Sequence, residues 1–317
     1  MPIASAPGKL MLYGDHAVVH GKPCIVTAVD QRIAVSIEKR SDSRVTFSAP
    51  DLKFSYETTA NQVRGPHPKE AKFVLVAVNN FFEKFQVRSG LDIRTKADIP
   101  GKFGFGSSSA STVAALKALS EAFNKSIPER QLFELAYKTV LDVQGVGSGF
   151  DVAAAVWGGT IWYSKAGNIE VNKLNVERLP LVVGWTGVSA DTPELVRKVG
   201  EWIKQKPAEG LAFLESSERA TRAARAALMN SDWKAAGEQM NACQELLETA
   251  GVSSNELRAL ITAAKGAGAW GAKLSGAGGG DSMIALAPDE HKVTEAIRLA
   301  GGTPIPVRIN APGVRLE

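Results

Sequence analysis

The sequence predicts an α+β fold, and three observations carry that expectation. Strand-like runs dominate the first third of the chain, and helical patterns crowd the part beyond its middle. Nowhere do the two follow the regular βαβ rhythm of a doubly wound sheet. At 317 residues the chain is long enough for two domains sharing one cleft. Hydrophobic residues at 44% and charged residues at 22% are the proportions of an ordinary globular protein.

Taken in order, the elements follow from periodicity and punctuation. Residues 32–39 (RIAVSIEK) alternate polar and apolar side chains as a half-buried strand does, and 91–99 do the same after a helical stretch at 70–85. A glycine- and serine-rich loop at 100–109 runs into an alanine-rich helix at 110–123, with a serine well suited to cap it. Pro128 is a fitting first-turn residue for a helix reaching 141. Residues 158–163 (GGTIWY) and 179–185 (LPLVVGW) read as strands. The polar stretch 164–177 between them reads as a connector and places the domain boundary nearby. Helical patterns follow at 193–204, 208–229, 232–250 and 255–266. Short strands at 283–286 and 306–309, with a helix at 289–299 between them, close the chain.

Charge and cysteine content narrow the function. The formal charge is +4, but Lys and Arg alternate with Asp and Glu and form no block. That is not the footprint of a nucleic-acid binder; it suits small anionic substrates or plain solvated surface. Two cysteines, Cys24 and Cys243, lie far apart with no CxxC spacing, so neither a zinc site nor a disulfide framework is expected. The start MPIASAPGKL has no signal-peptide pattern, and no run approaches the roughly 18 apolar residues of a membrane helix. A cytoplasmic protein is expected.

Three glycine-rich segments carry the chemistry. In DIPGKFGFGSSSASTVAALKAL (98–119), Gly101, Gly104 and Gly106 free the backbone, and Ser107, Ser108 and Ser109 lead into the helix. Such a turn gathers amide N–H groups and the positive helix end at one point, where a phosphate chain fits. It is not a Walker A loop, since no G-K-[S/T] occurs. An ordinary capped turn needs fewer glycines and hydroxyls. In KLSGAGGGD (273–281) four glycines fall within 276–280, more than a hairpin requires, which points to close approach of a ligand. The letters G-x-G-x-x-G at 266–271 follow a helix rather than open one, the wrong order for a dinucleotide fold. The third segment, PGKLMLYGDHAVVHG (7–21), sets Lys9 and the pair Asp15-His16 in apolar surroundings, with His20 read as structural.

One acid is awkward. Asp151 in GVGSGFDVAAAVWGG (145–159) precedes small apolar residues, where a carboxylate is costly unless paired or working. Upstream, Asp142 is a second acid, followed by Val-Gln-Gly. Two acids, a lysine and two phosphate-type loops make a set fit for phosphoryl transfer: a base, a metal ligand and a charge-offsetting cation.

In order and near spacing these motifs resemble those of the GHMP kinase superfamily, which includes galactokinases, homoserine kinases, mevalonate kinases and phosphomevalonate kinases. The resemblance spans most of the chain. It implies a GHMP kinase fold, with an ATP-binding domain at 1–170 like the second domain of ribosomal protein S5. A ferredoxin-like domain would follow at 171–317, with the active site between the two. It further implies that Gly104, Gly106, Ser107 and Ser108 hold ATP and that Ser108 also reaches Mg²⁺. Asp151 would be the base, and Lys9 would lower the acceptor's pKa. Asp142 matches a glutamate metal ligand but is one methylene shorter. Gly276, Gly278 and Gly279 would line the cleft.

For the acceptor the motifs divide. PGKLMLYGDHAVVHGKP and TGVSADTPELVRKV (186–199) resemble the mevalonate kinase branch, which implies Asp15, His16 and Thr192 on the substrate side. GSGFDVAAAVWGGTIWY and GAGGGD resemble the phosphomevalonate kinase branch, whose acceptor phosphate would need bases such as Arg219, Arg222 and Arg225. The N-terminal motif touches the acceptor, so mevalonate is the expected substrate, with ionised Asp15 repelling a phosphorylated one. Expected partners are thus ATP and mevalonate, with a homodimer left open and neither nucleic acid nor membrane. A non-catalytic ATP-binding protein would not need both Lys9 and Asp151.

Overall fold

The first strand, β1 (Ile3–Tyr13), is buried along nearly its whole length and pairs antiparallel with the 17-residue β2 (Cys24–Arg40). The computed structural model describes residues 1–98 and 103–317. Gly101 and the expected strand end at residue 99 lie outside the described residues. The strand expected at 32–39 is only the second half of β2, because the continuous apolar run before it is buried too.

Around β1 and β2 an eight-stranded sheet is built. Its order is β12-β1-β2-β5-β3-β4, with β3 (Arg44–Ala49), β4 (Phe54–Thr59), β5 (Gly90–Ala97) and the C-terminal β12 (Arg315–Leu316). The pair β3–β5 is parallel and the other pairs are antiparallel. The first half of β2 also pairs with β6 (Thr160–Ser164), which pairs with β7 (Glu170–Lys173). β7 therefore runs through the expected connector at 164–177 and belongs to the first sheet. On this sheet pack α1 (Lys72–Phe85), α2 (Ser107–Ala122), α3 (Glu129–Gln144) and α4 (Phe150–Trp157), around one large apolar core. The Arg32 guanidinium ties the returning C-terminus down by donating to the carbonyls of Pro312 and Gly313 at 2.7 and 2.9 Å.

The second sheet holds β8 (Leu181–Trp185), β9 (Gly271–Leu274), β10 (Ser282–Leu286) and β11 (Thr303–Pro304), all antiparallel, in the order β11-β8-β10-β9. That is the order of a ferredoxin-like βαββαβ unit. The first crossover is expanded to four helices: α5 (Thr192–Gln205), α6 (Pro207–Met229), α7 (Trp233–Thr249) and α8 (Asn255–Gly266). The second crossover is α9 (Glu290–Leu299). The strand expected at 306–309 is absent; Ile309 makes a single bridge to Val29. Pro304, Pro306 and Pro312 in this stretch cannot donate to a ladder.

The two sheets are not joined by a bare linker. Leu10, Leu12 and Ile25 of the first and Phe105 of the glycine-rich loop share a buried cluster with Leu181, Val183 and Ile284 of the second and Met240 of α7. This shared core fixes the two glycine-rich segments relative to each other.

Candidate active site

Lys9 lies on β1 with 7% of its surface exposed. Its ammonium donates to the Gly104 carbonyl at 2.8 Å, and its amide donates to the Phe105 carbonyl at 2.9 Å. The phosphate loop is thus pinned to β1 by one residue's main chain and side chain. Lys9 also lies 5.5 Å from the centre of the Phe150 ring. Burial pushes its pKa below the ordinary value, and Asp151, Asp281 and Asp15 oppose that, in that order.

The helix expected from residue 110 begins at Ser107. Gly106, at φ 73°, is its N-cap, so the three serines fill the first turn. The Ser111 and Thr112 hydroxyls donate back to the Ser108 carbonyl at 3.0 and 2.8 Å, which steadies that turn. The Ser107 and Ser108 hydroxyls make no hydrogen bond to another described residue. They stand with the first-turn amides at the positive end of a 16-residue helix, an anion-binding geometry. A β-carbon on Gly106 would come 3.2 Å from Lys9, so glycine is required there for the lysine to pass.

Asp151 sits in the first turn of α4 after Gly149, which takes φ 90°. Its Oδ2 accepts from the Ser109 hydroxyl at 2.5 Å, and its Oδ1 accepts from the Val152 amide at 3.0 Å. The loop before it is clamped by two tyrosines. Tyr163 donates to the Ser148 carbonyl at 2.6 Å, and Tyr137 to the Gly147 carbonyl at 2.8 Å. Asp151 therefore faces the phosphate loop with its orientation set from both sides.

Other expected residues have different surroundings. Asp15 is 3% exposed, with Oδ2 2.6 Å from the Lys273 ammonium and Oδ1 accepting from the Gly276 amide at 2.7 Å. The expectation that ionised Asp15 repels a phosphorylated acceptor is corrected: a fully buried lysine neutralises it. Nε2 of His16 bonds the Ala277 carbonyl at 2.9 Å. A carbonyl only accepts, so Nε2 carries the hydrogen. Burial lowers the pKa of this ring, which is neutral at pH 7. His20 is exposed. Asp142 stands on α3 with its carboxylate 2.6 Å from Lys138 and accepting from Asn80 at 2.9 Å. It is exposed and engaged by a neighbouring cation, and its expected role as metal ligand rests on the resemblance alone. Thr192 is exposed at the first turn of α5.

The run 276–280 differs from its expected use. A β-carbon on Gly278 would lie 2.2 Å from the Val252 carbonyl, on Gly279 2.8 Å from Leu195, and on Gly280 2.6 Å from the Val188 carbonyl. Only at Gly276 is the nearest atom the Lys9 ammonium, at 4.0 Å. Most of these glycines admit the protein's own chain. The arginines on α6 do not converge on the cleft either. Arg222 and Arg225 lie over the Trp162 ring, while Arg219 and Arg222 pair with Glu215 and Glu218.

Sequence reading missed Lys273 and assigned no role to Asp281. The signal for Lys273 was a lone cation in the fully buried strand Gly271–Leu274. Among the described residues no group of three or more His, Cys, Asp or Glu side chains is gathered as a metal site, and no helix is long and apolar enough to cross a membrane.

Residues 72–159 match the family described as GHMP kinases N terminal domain, and residues 224–299 match GHMP kinases C terminal. The mevalonate kinase of Thermococcus sibiricus is 36% identical, over 99% of this chain and 98% of its own. Among solved structures, the Methanococcus jannaschii mevalonate kinase aligns with a TM-score of 0.83 at 23% identity, covering 97% of this chain and 98% of that one. The Streptococcus pneumoniae phosphomevalonate kinase, in complex with phosphomevalonate and AMPPNP, aligns at 0.84 and 22%, covering 98% and 100%. At such identities the structural likeness establishes the fold alone.

Proposed function

The chain belongs to the GHMP kinase family, and from that premise we propose that it transfers the terminal phosphoryl group of ATP to mevalonate, giving 5-phosphomevalonate. The observation that carries the reading is Asp151 held by Ser109 beside Lys9, at the mouth of a helix whose first two hydroxyls, on Ser107 and Ser108, have no described partner. End-to-end likeness to a mevalonate kinase names the acceptor.

In this reading Gly104, Gly106, Ser107 and Ser108 receive the phosphates through first-turn amides and hydroxyls. Asp151 accepts the proton of the attacking hydroxyl, and Lys9 offsets charge gathering on the transferred phosphoryl oxygens. Ser109 keeps one lone pair of Asp151 occupied, so the proton is taken by the remaining ones. The hard-oxygen donors at this corner fit a divalent cation, and the Ser108 hydroxyl, which has no described protein partner, would hold Mg²⁺ together with ATP. Such an ion, when bound, spreads negative charge on the phosphates. Asp15 and His16 support the acceptor side by fixing Gly276 and Ala277, and Thr192 stands at its rim. Gly278 and Gly279 shape the same wall.

A coupled assay of ADP release with mevalonate, phosphomevalonate, homoserine and galactose, run side by side, tests the proposal. Mevalonate is expected to give the highest kcat/KM. A higher value for phosphomevalonate would transfer the assignment to that acceptor.

A further inference from the structure

We propose that Asp281 is a positioning residue of the phosphoryl-transfer site, holding the loop at 186–191 against the phosphate loop and standing as an anion beside Lys9. The proposal rests on the phosphoryl-transfer reading above and adds a residue to it.

Three segments meet at this side chain. Its Oδ1 accepts from the Ala190 amide at 3.1 Å. Its main chain is tied to the same loop. The Asp281 amide donates to the Val188 carbonyl at 2.7 Å, and the Asp281 carbonyl accepts from the Thr186 amide and hydroxyl, both at 2.9 Å. Its other oxygen, Oδ2, abuts the phosphate loop, and a β-carbon built on Gly104 would lie 2.8 Å from it. Gly104 is the residue whose carbonyl receives the Lys9 ammonium. The neighbouring Ser282 reinforces the contact by donating to the Phe103 carbonyl at 2.8 Å. The acceptor-side loop and the phosphate loop are thus brought to one carboxylate, with Lys9 bound to the same residue, Gly104, that the carboxylate abuts.

The backbone at this point is unusual as well. Asp281 takes φ 54°, in the left-handed region that disfavours most side chains by about 1–2 kcal/mol. Aspartate is among the few residues that tolerate it. An asparagine would tolerate it too and would keep Oδ1 as an acceptor, so the backbone alone does not explain the charge. The surroundings do. Lys9 is faced by Asp151 from α4, Asp15 from the turn after β1, Asp281 from the bend just before β10, and Lys273 from β9. Burial acts against its charged form, and each anion offsets part of that. Burial also lifts the Asp281 carboxyl above its usual range, against the pull of Lys9 and the Ala190 amide.

Charge and tether can be separated by substitution. Asp281→Asn keeps an oxygen for the Ala190 amide and removes the charge. With one anion fewer, Lys9 loses its proton at lower pH, so the alkaline limb of the kcat profile moves down by about one unit while KM for the acceptor holds. Asp281→Ala loses the tether as well, and KM for mevalonate rises about tenfold further. The experiment measures kcat, KM and pH profiles of the wild type and both variants, with thermal melting as a check of folding. Should the alanine variant fail to fold, the isosteric Asp281→Asn carries the test alone through its alkaline limb. Wild-type profiles for Asp281→Asn would overturn the role of the charge, and an unchanged KM in folded Asp281→Ala would overturn the tether. The wild type, measured first, fixes the acceptor. A failure of the mevalonate reading shows there, whereas a failure of this inference shows only in the variants.

Discussion

In the loop at 103–106 two glycines take left-handed dihedrals and deliver the chain into the first turn of α2. In the run at 276–280 three of the four glycines let the chain cross the carbonyls of Val252 and Val188 and the side chain of Leu195. The two segments have similar composition and lie together at the same cleft. The first leaves the Ser107 and Ser108 hydroxyls without a described partner, and its tight contacts are the side chains of Lys9 and Asp281. The second has nearly every polar group committed: Ser275 to the Met11 main chain, Gly276 to Asp15, Ala277 to His16 and Gly279 to Val252. A glycine-rich segment is thus not in itself a ligand cradle. The difference lies in what the missing β-carbon would meet: the charged side chains of Lys9 and Asp281 in the first loop, and chiefly the protein's own carbonyls in the second.

Substitutions can test this division between a working loop and a structural one. The largest expected effect is on the working side. Asp151→Asn should fold and melt as the wild type does but lose about 10²–10⁴-fold in kcat, because an amide cannot take the hydroxyl proton. Turnover equal to wild type would remove Asp151 from the chemistry. On the structural side, Lys273→Met leaves Asp15 as a buried unpaired carboxylate. Breaking such a pair costs about 3–5 kcal/mol, read as a drop in the denaturant midpoint at unchanged m-value. An undisturbed midpoint would show the pair to be dispensable.

Next in size is Gly278→Ala. Left-handed strain of about 1–2 kcal/mol is joined by overpacking of about 1–3 kcal/mol against the Val252 carbonyl. Stability should fall more than for Gly276→Ala, whose β-carbon meets no backbone. Equal losses would erase the distinction between the glycines. The smallest effect is expected for Ser108→Ala, which should raise the Mg²⁺ concentration for half-maximal rate while leaving the melting temperature in place. An unchanged metal dependence would leave Ser108 as helix structure only.

Much of this was legible before any coordinates. Helix α8 matches its periodic stretch residue for residue, and the helices α5 to α7 match theirs to within a few residues, because this signal is local. Strands β1, β3, β4 and β9 were not named. RVTFSA does alternate polar and apolar residues, a strand signal that sequence reading overlooked, whereas four-residue GAKL is too short to carry a pattern. The C-terminal stretch was misplaced because its pairing partner lies far away in sequence: β12 exists because β1 offers it an edge.

The sequence by itself determined the family, the order of its motifs and the residue types of a phosphoryl-transfer site, since these are written as short contiguous strings. Tertiary structure alone decided which charges are available. Asp15 reads as a free acid beside a substrate pocket and is in fact neutralised by Lys273 across the domain interface. Asp142 reads as a metal ligand and is held by Lys138 and Asn80. Asp281 reads as the end of a glycine run and ties the loop at 186–191 to the phosphate loop whose Gly104 carbonyl receives Lys9. The physical reason is common to all three. A carboxylate's role depends on its nearest counter-charge and on its exclusion from water, and both are set by folding residues far apart in sequence into one low-dielectric cleft.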